Sequence, residues 1–234
     1  MTTEDETRRD ETTQVVLVTG ATGPLGHAVT ARFARDHARL VLVGTDLGRL
    51  EALARDARLL AGRHLLFEAD LRDRKAVASM AAEATARFGR IDVLVHAVGG
   101  WAGGTAVVDL DPDEVRGMLD NHLWTTLNVI AAVVPGMAKR GFGRVLAVSS
   151  PLAANPAARG ASYAIAKSAE EVVLRSLAKE TAGTGVTANL LIVKAIATRD
   201  QKGTPPEELA EVLAYLASPG AGAISGQRLA VGSA

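Results

Sequence analysis

Cysteine is absent from this chain, and only 3% of its 234 residues are aromatic. The first absence excludes disulfides, a thiol nucleophile and thiolate-bound metals. The second leaves Ala, Val and Leu to build the core, and hydrophobic residues make up 48% of the chain. An excess of charge of one sign is also missing, since 26 Lys and Arg balance 26 Asp and Glu. A net charge of zero provides no field that favours nucleic acid or an anionic membrane. No apolar run has the length needed to span a bilayer. The five histidines, at 27, 37, 64, 96 and 122, show no ligand spacing, so no metal is expected. These absences fit a cytoplasmic protein. Residues 1–13, MTTEDETRRDETT, lack the apolar stretch of a signal peptide and read as a solvated, disordered tail.

What is present is a regular alternation. Short apolar runs rich in β-branched residues lie at 15–18, 40–43, 65–67, 91–95, 144–148, 186–193 and 228–231. Helical patterns fall between them, at about 25–36, 48–58, 74–88, 112–139, 163–182 and 206–217. Runs that are apolar throughout are buried on both faces, which implies a parallel sheet covered by helices. The expectation is an α/β fold: a Rossmann-type, doubly wound parallel sheet of about seven strands in a single domain over residues 14–234.

Two local patterns carry chemistry. Gly20, Gly23 and Gly26 lie between the first strand and the first helix, in TGATGPLG. Glycine there permits a tight turn and lets backbone approach a pyrophosphate, while the helix start offers free N–H groups. Further on, Tyr163 and Lys167 stand four apart in YAIAK and share one helix face. The chain has only two tyrosines, so a chance pairing of this kind is improbable. A nearby ammonium favours the phenolate, which moves tyrosine toward useful acid–base chemistry. Together the two patterns point to a nicotinamide-dependent reductase.

From about Val15 to Val231 the chain resembles the short-chain dehydrogenase/reductase family. The resemblance implies a catalytic set of Asn121, Ser150, Tyr163 and Lys167. Ser150 would hydrogen-bond the substrate carbonyl, Tyr163 would donate the proton and also contact the cofactor, and Lys167 would also hold the nicotinamide ribose. Asn121 would hold a water that relays protons to the lysine. It also implies cofactor contacts from Gly20, Thr22, Gly23, Leu25, Gly26 and Thr45. Further contacts would come from Asp70 and Leu71 at the adenine, from Ala97 and Gly99, and from Ile196 and Thr198 at the carboxamide. Gly44 stands where an acid would select NAD, so NADP(H) is favoured over NAD(H). Thr45 and Arg49 would meet the extra phosphate, with Asp46 a complication. The partners implied are a small carbonyl or alcohol substrate and further copies of the chain, as a homodimer or homotetramer.

The pattern also departs from the family. Pro24 occupies the middle-glycine position of the main branch. His96-Ala97-Val98-Gly99 replaces Asn-Asn-Ala-Gly, and His96 reads as a structural stand-in. Val193-Lys194 replaces a Pro-Gly pair, with Lys194 read as a surface residue. Only residues 199–204 separate Thr198 from Pro205, where relatives carry a longer substrate lid. An open site would suit a bulky, rigid substrate such as a polycyclic ketone. Two other readings remain: a redox-neutral enzyme (dehydratase, epimerase or cyclase), and a nucleotide-binding protein without catalysis.

Overall fold

The computed structural model describes residues 13–232. The expected tail therefore lies outside the described residues, except for Thr13. Seven strands form one parallel sheet in the order β3-β2-β1-β4-β5-β6-β7. They are β1 (Val15–Thr19), β2 (Arg39–Gly44), β3 (His64–Glu68), β4 (Val93–His96), β5 (Gly143–Ser149), β6 (Val186–Ile192) and β7 (Arg228–Ala230). The helices are α1 (Pro24–Arg35), α2 (Leu47–Asp56), α3 (Arg74–Phe88), α4 (Pro112–Leu119), α5 (Thr125–Arg140), α6 (Ala161–Glu180) and α7 (Pro206–Ala217).

Alternation along each strand divides the core in two. Val15 and Leu17 of β1 face one side, with Val129 and Val133 of α5 and Leu174 of α6. Val16 and Val18 face the other, with Val29 and Phe33 of α1 and Leu213 of α7. Helices thus cover both faces, which is the doubly wound arrangement the apolar strands imply.

Two features depart from the pattern read in the sequence, and the packing of α6 is decided only by the structure. The fourth strand begins at Val93, and the Asp92 carboxylate just before it accepts the Val15 N–H at 2.9 Å. The helix expected over 112–139 is divided by a π-helical turn at Asp120–Trp124. There the hydroxyls of Thr125 and Thr126 donate to the carbonyls of Asn121 and His122, each at 2.6 Å, and compete with the regular ladder. The face of α6 that carries Ala166, Glu170, Leu174 and Leu177 is buried against the protein's own interior, while Ile165 and Val172 on its other side are exposed.

Candidate active site

The strand order turns around at β1, so a cleft opens beyond the carboxyl ends of β1 and β4. Its volume is about 520 Å³. Gly20 has φ +69°, and a Cβ there would stand 2.5 Å from the Ala97 carbonyl oxygen. At Gly26 a Cβ would stand 2.4 Å from the carbonyl oxygens of both Gly20 and Ala21. Bare backbone is therefore required at both positions, and the turn is pressed flat between β1 and β4. Pro24 opens α1, where a missing N–H costs no helix bond. The next N–H groups of that first turn, at the positive end of the helix, border the cleft.

Every residue assigned from the sequence to the cofactor lines this cleft except Thr198, Tyr163 and Lys167. Thr198 instead sits in a closed loop, its N–H donating to the Gln201 carbonyl at 2.9 Å and its Oγ1 accepting from Asp200. Ala197 and Thr204 bond across that loop at 2.8 Å, and no helix forms between Ile192 and Pro206. Val193 is buried beneath the loop, and Lys194 is exposed.

At the far rim the Asp46 carboxylate caps α2, accepting from the Arg49 N–H at 2.9 Å. The Arg49 guanidinium reaches back to the Thr22 carbonyl at 2.9 Å and lies on the cleft. Asp70 is not free. Arg72 grips its two oxygens at 2.9 and 2.7 Å, and this guanidinium holds the carboxyl below its usual range. Arg72 is thus a rim residue the sequence reading missed; the Asp-x-Arg spacing was its only signal.

At the chemical end, Ser150 follows β5 and caps a short 3-10 turn, its Oγ accepting from Leu152 at 3.3 Å. Neighbouring Ser149 turns away and donates to Glu171 at 2.7 Å. Tyr163, in the first turn of α6, is half-buried. Burial pushes its phenol up; Lys167 opposes this, Glu170 adds to it, and a hydrogen bond with Ser150 pulls it down. Lys167 is only 3% exposed. Its Nζ donates to the Val148 carbonyl at 2.7 Å and to Glu170 Oε2 at 2.6 Å.

Asn121 lies in the π-helical turn and lines the cleft with Gly99 and Thr125. Its neighbour His122 is buried, and Nε2 meets the Gly100 carbonyl at 3.0 Å. A carbonyl only accepts, so Nε2 carries the proton. Burial and Lys167 push this imidazole down to about 4 against the pull of that carbonyl. His96 is buried as well, with Nδ1 2.8 Å from Thr19 Oγ1. Burial, then Lys167 and His122, push it down to about 3. Both rings are neutral at neutral pH.

A family model described as short chain dehydrogenase matches residues 14–208. The chain belongs to the short-chain dehydrogenase/reductase family. It is 32% identical to the (2S)-[(R)-hydroxy(phenyl)methyl]succinyl-CoA dehydrogenase subunit BbsC of Thauera aromatica, covering 93% of this chain and 92% of that one. It is 26% identical to the 3-oxoacyl-[acyl-carrier-protein] reductase FabG of Thermotoga maritima, covering 93% and 96%. Among solved structures, the 3-ketoacyl-(acyl-carrier-protein) reductase of Brucella melitensis, complexed with NADH, superposes with a TM-score of 0.86 at 25% identity over 93% of this chain and 96% of that one.

Members of the short-chain dehydrogenase/reductase family bind NAD(P), and the residues present fit such a group: bare backbone at Gly20 and Gly26 beside a helix start leaves room for a pyrophosphate. Among the described residues no group of His, Asp and Glu is placed to hold a metal ion, and no helix is long and apolar enough to cross a membrane.

Proposed function

We propose that this protein is an NADP(H)-preferring carbonyl reductase, or alcohol dehydrogenase in reverse, acting on a bulky ketone. The observation that carries this reading is the convergence of Ser150, Tyr163 and Lys167 at the carboxyl edge of the sheet, beside the glycine-floored cleft. Gly20, Gly23 and Gly26 would seat the pyrophosphate, and Asn121, Gly99 and Ile196 border the other end of the cleft. The bound nicotinamide would supply the hydride. Tyr163 gives its phenol proton to the substrate oxygen, and Ser150 steadies that oxygen by a second hydrogen bond. His122 backs the phenol edge-on and stays uncharged.

Three details favour NADP(H). No acid stands at Gly44, Asp46 is spent on the α2 cap, and the Arg49 guanidinium lies on the rim near Thr45. The short loop over residues 199–204 favours a bulky substrate, because no lid helix covers the site. The exposed Ile165 and Val172 of α6 and Trp124 favour pairing with a second copy. Calorimetric titration with NADPH and NADH, followed by a ketone screen, tests the reading. Tighter NADPH binding with turnover of a ketone is the expected result; no binding of either nucleotide would overturn it.

A redox-neutral step at the same tyrosine is the second reading. It is favoured by the uncovered site and by Lys167 lying outside the cleft. Consumption of cofactor during turnover separates the two.

A further inference from the structure

Lys167 closes a buried ion pair, and its partner Glu170 takes no part in the chemistry described so far. Glu170 is fully buried and Lys167 nearly so. The two charges meet at 2.6 Å, one turn apart on α6. The second carboxylate oxygen of Glu170 lies 3.4 Å from the Thr126 hydroxyl of α5, whose proton goes to the His122 carbonyl. A buried ion pair adds little stability over a well-packed apolar pair, because desolvation offsets the attraction. Its location, one to two turns below Tyr163, is where it would matter to the phenol.

We propose that Glu170 is a positioning residue: it holds Lys167 in a closed, net-neutral pair, and so weakens the pull by which a lone Lys167 cation would make the Tyr163 phenol a stronger acid. A bare Lys167 cation would draw the tyrosine toward phenolate. With Glu170 beside it that pull is offset in part, and burial, the largest cause, holds the phenol above its ordinary value. The catalytic role assigned to Tyr163 rests on the function proposed above; the electrostatic coupling does not.

Other groups facing the pair leave this balance in place. His96 from β4 and His122 from the π-helical turn are neutral at and above neutral pH. Ser150 from the end of β5 faces the phenol as an uncharged hydroxyl. The Val148 carbonyl takes the other Lys167 bond. Glu171, next along α6, is matched by Arg228 of β7 at 2.6 Å and by Ser149.

The chain has two tyrosines, and the other, Tyr215, is exposed on α7. A Tyr215→Phe background therefore makes tyrosinate absorbance a direct readout of Tyr163, without cofactor or substrate. The full chain is titrated in this background beside Glu170→Gln and the double variant Glu170→Leu/Lys167→Met, with circular dichroism to follow the fold. In the parent, tyrosinate should form only above the ordinary value of about 10. In Glu170→Gln it should form at least about one unit lower with the fold intact. In the double variant, which replaces the pair by apolar side chains, it should return to within about half a unit of the parent. If Glu170→Gln does not fold, the double variant decides.

Equal titration of parent and Glu170→Gln would overturn the proposal. So would a double variant that titrates about a unit or more above the parent, since Lys167 would then act as an uncancelled charge. Failure of the carbonyl reductase reading shows separately, as absent nucleotide binding with this titration unchanged.

Discussion

The ring of His122 meets the ring of Tyr163 edge-on, with centroids 5.7 Å apart and planes at 84°. The histidine is anchored from behind by the Gly100 carbonyl, so the glycine loop after β4, the π-helical turn and α6 are linked through one imidazole. A charged imidazole there would sit beside the Lys167 ammonium. Burial and that ammonium together keep it neutral.

Stability should therefore fall with acid before any catalytic group titrates. An unfolded chain protonates His96 and His122 near pH 6.5. The folded chain does so only near 3 and 4. Between these values the unfolded state holds more protons, so the contribution is complete above about pH 6.5 and is lost as pH falls toward 4. Each histidine gives a slope of about 1.4 kcal/mol per pH unit. The urea midpoint should drop steeply over this range, and His96→Asn should roughly halve the histidine part of the slope. A midpoint independent of pH would contradict the burial of both rings.

The glycine turn separates folding from binding. Gly26→Ala forces a Cβ to 2.4 Å from two backbone oxygens and should lower the thermal midpoint strongly. At Gly23 the same change makes only an ordinary 3.4 Å contact with the Gly20 carbonyl. Gly23→Ala should keep the parent's thermal midpoint while weakening nucleotide binding tenfold or so, because the added methyl faces the pyrophosphate path. Calorimetry on the folded variant reads this directly.

Arg49→Ala should weaken NADPH by about 10- to 100-fold and leave NADH nearly unchanged, as expected for loss of one charge-assisted contact to a phosphate. Equal losses for both cofactors would assign Arg49 to the backbone of the turn, through its bond to Thr22, and not to the extra phosphate.

Tyr163→Phe removes the proton donor and little else, since the ring contact with His122 survives. The expected loss in kcat is about 10²- to 10⁴-fold, with KM little changed. A variant that retains full turnover would remove Tyr163 from the chemistry.

Much of the fold was legible in the chain because its signals are local. A buried parallel strand reads as an unbroken apolar run, and β1 is apolar from Val15 to Val18 and buried on both faces. Helix starts are read from apolar periodicity alone, and the caps at Asp73 before α3 and Asp111 before α4 are findings of the structure. The π-helical turn left no mark in that periodicity. Its residues continue a helical pattern, and only the hydroxyls of Thr125 and Thr126, folded back onto Asn121 and His122, account for the break.

Sequence spacing alone placed Tyr163 and Lys167 on one helix face and put three glycines where a strand turns into a helix, because both facts depend on residues within a single turn. It also placed Glu170 three residues from Lys167, but that spacing serves an exposed pair equally well. Packing of α6 against α4, the π-helical turn and β6 decided that the pair is buried, at 4% and 1% side-chain exposure, and so able to act on the phenol above it. Likewise only the folded loop after β3 could show that Arg72 had taken Asp70. Burial and partner choice arise between elements distant in sequence, and a charge changes meaning when water is removed from around it.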